Sequence, residues 1–165
     1  MVKRLKPRKP DSIHTLLALI AQSYDTKAWH GTNLRGSIRG LTARQALWRP
    51  SPDRHNIWEI VVHCAYWKYI VRRRILGEKK GSFALKGSNW FRRDEGLPEK
   101  QWRTEVALLE STHKSMREAV ARLKPGDLSM KPGGSKVDNL AILMGIASHD
   151  LYHAGQIQLL KRLAP

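Results

Sequence analysis

His149 and His153 stand four residues apart in the run His149-Asp150-Leu151-Tyr152-His153. In a helix this spacing sets two imidazoles one above the other on the same face, where they can share one metal ion. With about 100° of rotation per residue, Ile142, Ile146, Leu160 and Leu163 fall on the side of the pair, together with Gly145, Tyr152 and Gln156. The pair is therefore expected to face a core. The same projection from His63 surrounds it with Ile60, Tyr66, Trp67, Ile70 and Val71 and sets Lys68 and Arg72 opposite. Imidazoles turned toward one interior have two readings. Each can be hydrogen-bonded to another ring or to a backbone carbonyl, as isolated core histidines usually are. Alternatively, one ion satisfies three nitrogens that an apolar interior would otherwise leave costly. The second reading makes His63, His149 and His153 the ligands of a divalent metal. Three protein ligands in place of four leave a position for water or substrate, which is the arrangement of catalytic zinc and not of structural zinc. Imidazoles suit zinc, nickel, copper and iron, and zinc or nickel is expected here.

Other residues could serve such a centre. His30, just past the first helix, is a candidate acid or base, or else a cap of that helix. Glu59, one turn before His63, could accept the second N–H of a ligand imidazole or complete a capping box with Asn56. Tyr152 and Gln156 flank the pair and could contact substrate or satisfy core hydrogen bonds. Trp90 could line the pocket mouth from a loop, whereas Trp58 and Trp67 read as packing. Cys64 lies about 100° round the helix from His63 and reads as core, neither ligand nor nucleophile. His14, His55 and His113 find no convergent partners and read as surface or capping residues.

Four amphipathic segments must position these groups. Asp11 or Ser12 can cap a first helix whose apolar stripe is Ile13, Leu16, Leu17, Ile20 and Tyr24, running to about Trp29. Gly31, Gly36 and Gly40 break the pattern, and residues 41–48 make at most a short helical piece before Pro50 and Pro52. Asn56 followed by Glu59 opens a second helix from Ile57 to about Leu76, which Gly77 ends. Residues 77–97 are Gly-rich and basic, and long for a connection inside a compact domain. Pro98 suits the first turn of a third helix with the stripe Trp102, Val106, Leu109 and Met116, reaching toward Leu123. Asp138 caps a fourth ending near Leu163. Without strand alternation or internal repeats, the expectation is an all-α four-helix bundle.

The 165 residues allow one domain at 11–165 behind a basic tail at 1–10. With 41% hydrophobic and 27% charged residues the chain is of globular composition. Its apolar runs fall short of the roughly 18 residues a membrane span requires, and no membrane partner is expected from that. The single Cys64 excludes an internal disulfide and any Cys-rich zinc module, and a cytoplasmic location is expected. Lys3, Arg4, Lys6, Arg8 and Lys9 precede an apolar run at 16–21, but Pro10 to Thr15 is polar and turn-forming, unlike a signal peptide. A net charge of +16 favours anionic partners such as nucleic acid, acidic membrane surfaces or acidic small molecules. Arg72-Arg73-Arg74 with Lys79-Lys80 forms a second basic cluster.

The segment from His149 through His153 and Gln156 to Leu160, with the upstream run from Asn56 through Trp58 and His63 to Trp67, closely resembles the DinB-like superfamily, also called YfiT-like. The resemblance extends to Trp29-His30-Gly31 and to the Gly40–Ala46 piece. It implies an up-down-down-up four-helix bundle in which one histidine of the second long helix and two of the fourth hold a divalent metal, matching His63, His149 and His153. The long connection after the second helix would then be the crossover that lets the second and third run parallel. Members with known activity are thiol-dependent transferases and isomerases, which use low-molecular-weight thiols, or metal-dependent hydrolases. The expected function is therefore a metal-dependent transferase, isomerase or hydrolase acting on a small-molecule substrate, anionic given the charge. A homodimer would fit the family. The alternative is a basic, non-catalytic nucleic-acid-binding bundle with structural histidines, whose affinity would fall steeply with salt and survive loss of metal.

Overall fold

The computed structural model describes residues 11–79 and 81–165. The basic tail at 1–10 and Lys80 lie outside the described residues. Among the described residues there are six α-helices, α1 (Ser12–Tyr24), α2 (Leu34–Ser37), α3 (Ala43–Leu47), α4 (Ile57–Ile75), α5 (Glu99–Ala121) and α6 (Asn139–Leu163), with a 3-10 turn at Pro125–Ser129. No strand occurs among the described residues. The protein is all-α, and α1, α4, α5 and α6 form the bundle.

Short polar side chains start most helices by accepting the orphan N–H groups of the first turn. Asp11 accepts from the Ile13 N–H, Asn56 from Glu59 and Asp138 from Ala141. Thr42 and Gln45 cap one another reciprocally at α3. Pro98 precedes α5 without a side-chain cap. Gly77 ends α4 at φ +67°. Its N–H bonds to the Arg74 carbonyl and that of Glu78 to the Arg73 carbonyl, a Schellman closure for which glycine suits the left-handed position.

Helix directions follow from which ends meet. Trp58, at the start of α4, donates its indole N–H to Glu105 near the start of α5 at 2.7 Å. Val71, Met116 and Val120, toward the ends of the same helices, share one apolar cluster. Hence α4 and α5 run parallel. The first half of α4 shares its cluster with Ala154, Ile157 and Leu160 of α6, whereas Val71 shares the other with Ile142 and Ile146. These helices are antiparallel. Ile13, Leu16 and Ile20 of α1 lie with the first half of α6, so α1 and α6 run parallel and the course is up-down-down-up. Between the two apolar clusters lies a polar layer to which each long helix contributes: Tyr24, Lys68, His113 and Asp150, all buried. Lys68 and Asp150 form an ion pair in it.

The structure corrects several expectations. The first helix stops at Tyr24, not Trp29, because Asp25 leaves the helical region and the chain turns to an isolated bridge between Ala28 and Gly31. Trp29 is fully exposed. An unanticipated helical turn, α2, is capped by Asn33 within the glycine-punctuated stretch between the first two long helices. The third long helix ends at Ala121, short of Leu123. The 77–97 connection has no regular structure where described, yet buries Phe91 and packs Phe83, Leu85 and Trp90 against the core, so apolar side chains anchor it.

Candidate metal centre

His63 of α4 and His149 and His153 of α6 point their Nε2 atoms at one place. The Nε2 of His149 lies 3.0 Å from that of His63 and 3.1 Å from that of His153. His63 Nδ1 lies 2.9 Å from the Asn89 carbonyl oxygen. A carbonyl only accepts, so this nitrogen carries the hydrogen and Nε2 keeps its lone pair. His153 Nδ1 meets the Gln156 Oε1 at 2.7 Å, and the same amide donates from Nε2 to the Tyr152 hydroxyl at 3.1 Å. His153 Nε2 is thereby a second lone pair aimed at His149. A hydrogen on His149 Nε2 serves one of them, whereas a cation serves all three rings. Four-coordinate zinc with bonds of 2.0–2.1 Å holds its donors about 3.3 Å apart, close to the spacing found.

Burial keeps the three rings neutral, which is their ligand form. Desolvation first, then the neighbouring rings and Lys68, push His149 down to about 3. Desolvation with His63 pushes His153 down to about 4, against the opposing Gln156 bond. His63 is lowered by desolvation although the Asn89 carbonyl acts the other way. A second donor set, Cys64, His149 and Asp150, also lies within 4.8 Å. It is the poorer site, because both Asp150 oxygens are engaged by Lys68 and burial pushes the Cys64 thiol up. Cys64 is core.

Trp90 stacks flat on His63, its ring centroid 3.8 Å away and nearly parallel at 8°. Its other face carries His55 at 3.6 Å and 5°. Beyond it lies a cavity of about 320 Å³ whose lining includes Arg49, Arg54, His55, Glu59 and Arg92. Tyr152 is exposed, with its ring 5.1 Å from His153.

Glu59 does not orient a ligand. It accepts from Arg49 (2.8 Å), the Arg93 N–H (2.9 Å) and His55 (2.9 Å). Burial works to raise its pKa, but these bonds hold it below the ordinary value. It does not return to cap Asn56 either, although Asn56 caps it. The partner of His63 is instead Asn89, which sequence spacing missed because it sits in an irregular loop. Asn89 is the only non-glycine residue with positive φ among those described, at +60°, and its side-chain oxygen accepts from Trp67 Nε1 at 2.9 Å. The available signal was an asparagine in a Gly/Ser-rich stretch, a residue that tolerates the left-handed region. His30 is exposed in the turn between Ala28 and Gly31, beyond the end of α1, and is not among the converging nitrogens. His113, expected at the surface, is buried and stacked on Tyr24 at 3.6 Å.

Comparison with curated proteins and with solved structures gave no match. The sequence model of the DinB superfamily matches residues 27–157, which include the whole of α4 and α5 and all three converging histidines, and the chain belongs to that superfamily.

Proposed function

We propose that this protein is a divalent-metal-dependent enzyme acting on a small anionic substrate, with His63, His149 and His153 as the metal ligands. The observation that carries the reading is the convergence of three neutral Nε2 atoms, two of them with lone pairs fixed by acceptors on the far side of the ring. Zinc or nickel, when bound, supplies Lewis-acid activation of a water or a low-molecular-weight thiol at neutral pH. The protein's own groups do the rest. Asn89 and Gln156 hold the ligand rings in register. Trp90 covers one face of His63 and restricts water, while Tyr152 stands at the exposed side with a hydroxyl able to contact substrate. In the cavity past Trp90, Arg49 and Arg92 are paired with Glu59 and Asp94, whereas Arg54 enters no ion pair among the described residues and offers a cation to a carboxylate or thiolate-bearing molecule. Thiol-dependent transfer or isomerisation and hydrolysis share this set of ligands, and the cytoplasm, where small thiols are reduced, is the proposed location.

The test is elemental analysis of protein purified without a His-tag. One equivalent of zinc or nickel per chain is expected, falling below about a tenth in His63→Ala and in His153→Ala. Both variants should keep their helical circular dichroism. Wild-type protein that stays metal-free after incubation with zinc and with nickel would reduce the three rings to core packing.

A further inference from the structure

Three stretches far apart in sequence meet at one end of the bundle: the start of α1, the end of α4 with the turn after it, and the chain from the end of α5 to the start of α6. Ile13, Val71, Leu128 and Ile142 share the apolar cluster beneath this end, and Gly133 lines one cavity with Arg73, Arg74 and Lys79. Apart from the exposed Glu118, one turn before Arg122, its acidic side chains are committed internally. Asp11 and Asp138 cap helices, Asp127 accepts from the Lys124 N–H, and Glu78 is gripped by Arg72. Arg74, Lys79, Arg122, Lys124, Lys131 and Lys136 enter no ion pair among the described residues. The end is therefore a concentrated positive field. The tail, which joins at Asp11, adds five Lys and Arg by sequence.

Aliphatic side chains stand among these charges: Leu76 is 39% exposed, Met130 58%, Val137 49% and Leu140 39%. Met130 and Val137 each adjoin a lysine in sequence, Lys131 and Lys136. A polynucleotide rewards the cations, but its bases stack on aromatic rings and gain little from Met, Val or Leu. An anionic lipid surface rewards both, with Lys and Arg at the headgroups and aliphatic groups at the acyl boundary.

We propose that this end of the bundle docks on an anionic lipid surface, independently of the metal centre. The protein lies on the surface, since no helix among the described residues is long and apolar enough to cross a membrane. The expectation of no membrane partner rested on spanning segments alone, and surface docking makes no use of them.

Co-sedimentation of the full chain with vesicles tests this, using phosphatidylcholine alone and phosphatidylcholine mixed with phosphatidylserine. Binding to the mixed vesicles should be at least about tenfold tighter and weaken with salt. Lys131→Gln with Lys136→Gln should weaken it about 25-fold, at about fivefold for each charge near the surface. Met130→Ser with Val137→Ser should weaken vesicle binding and leave binding to duplex DNA unchanged. Arg39→Gln with Arg44→Gln, near the other end, should have little effect. The proposal fails if neither double variant at Met130 to Val137 alters vesicle binding, or if the Arg39 and Arg44 variant weakens it as much. DNA bound more tightly than mixed vesicles, and released by the lysine variant, would assign the surface to nucleic acid instead.

Discussion

Asn89 adopts a left-handed backbone that most side chains resist, and two bonds explain why it stays there: its side chain accepts from Trp67 and its carbonyl from His63. The contact that orients the imidazole is thus made by backbone whose placement depends on a side chain. Asn89→Val, β-branched at positive φ, should weaken zinc binding about tenfold or more, within the range found when partners of metal-bound histidines are lost. Asn89→Gly accepts the conformation and should lose less. Competition against a chromophoric chelator measures both. Gln156 offers a cleaner comparison, because Gln156→Glu keeps an acceptor for His153 Nδ1 whereas Gln156→Leu removes it. The leucine variant should lose about 10–100-fold in zinc affinity and the glutamate variant far less. Equal losses in the two would show that Gln156 acts through packing.

Among the elements, α4 and α6 carry the site, and the buried Lys68–Asp150 pair fixes them against each other next to it. Removing one partner strands a charge in the core, so Lys68→Met alone should cost about 3–5 kcal/mol. Lys68→Met combined with Asp150→Leu should recover most of that loss in urea unfolding, because a well-packed apolar pair has no charge to desolvate. Much of this framework was legible in the sequence. The histidine spacing, the caps at Asp11, Asn56 and Asp138, and the stop at Gly77 are local signals that act within a few residues. What escaped was non-local or irregular. Helix α1 ends early through a turn at Asp25, α2 is too short to show periodicity, and the Asn89 contact joins residues 26 apart through a loop without a repeat. Glu59 misled because its spacing fits a capping box while Arg49, His55 and Arg93 claim the carboxylate in three dimensions.

For the molecule as a whole, the polar layer makes stability depend on acidity. His113 is packed against Tyr24 with both ring nitrogens unpartnered, and desolvation, with Lys68 and Arg117, pushes it down to about 2. The unfolded chain binds this proton near pH 6.5. The contribution of a neutral His113 is therefore fully present above that value and is lost as pH falls toward 2, by up to about 1.4 kcal/mol per pH unit. His113→Phe, which keeps the stack, should flatten the decline between pH 6.5 and pH 4 by close to one proton in urea titrations at several pH values. An unchanged slope would mean that the ring is protonated in the folded state. The sandwich of Trp90 between His55 and His63 carries an optical consequence. An indole in van der Waals contact with a candidate ligand ring lies within quenching range of whatever that ring binds, so a paramagnetic ion such as Ni²⁺ or Cu²⁺ should darken its fluorescence on arrival. Trp67, with its ring 6.3 Å from that of His63 and 6.5 Å from that of His149, lies in range as well, so Trp90→Phe should reduce the response and Trp90→Phe with Trp67→Phe should abolish most of it. The intact chain would then report its own occupancy by light emission, without a label.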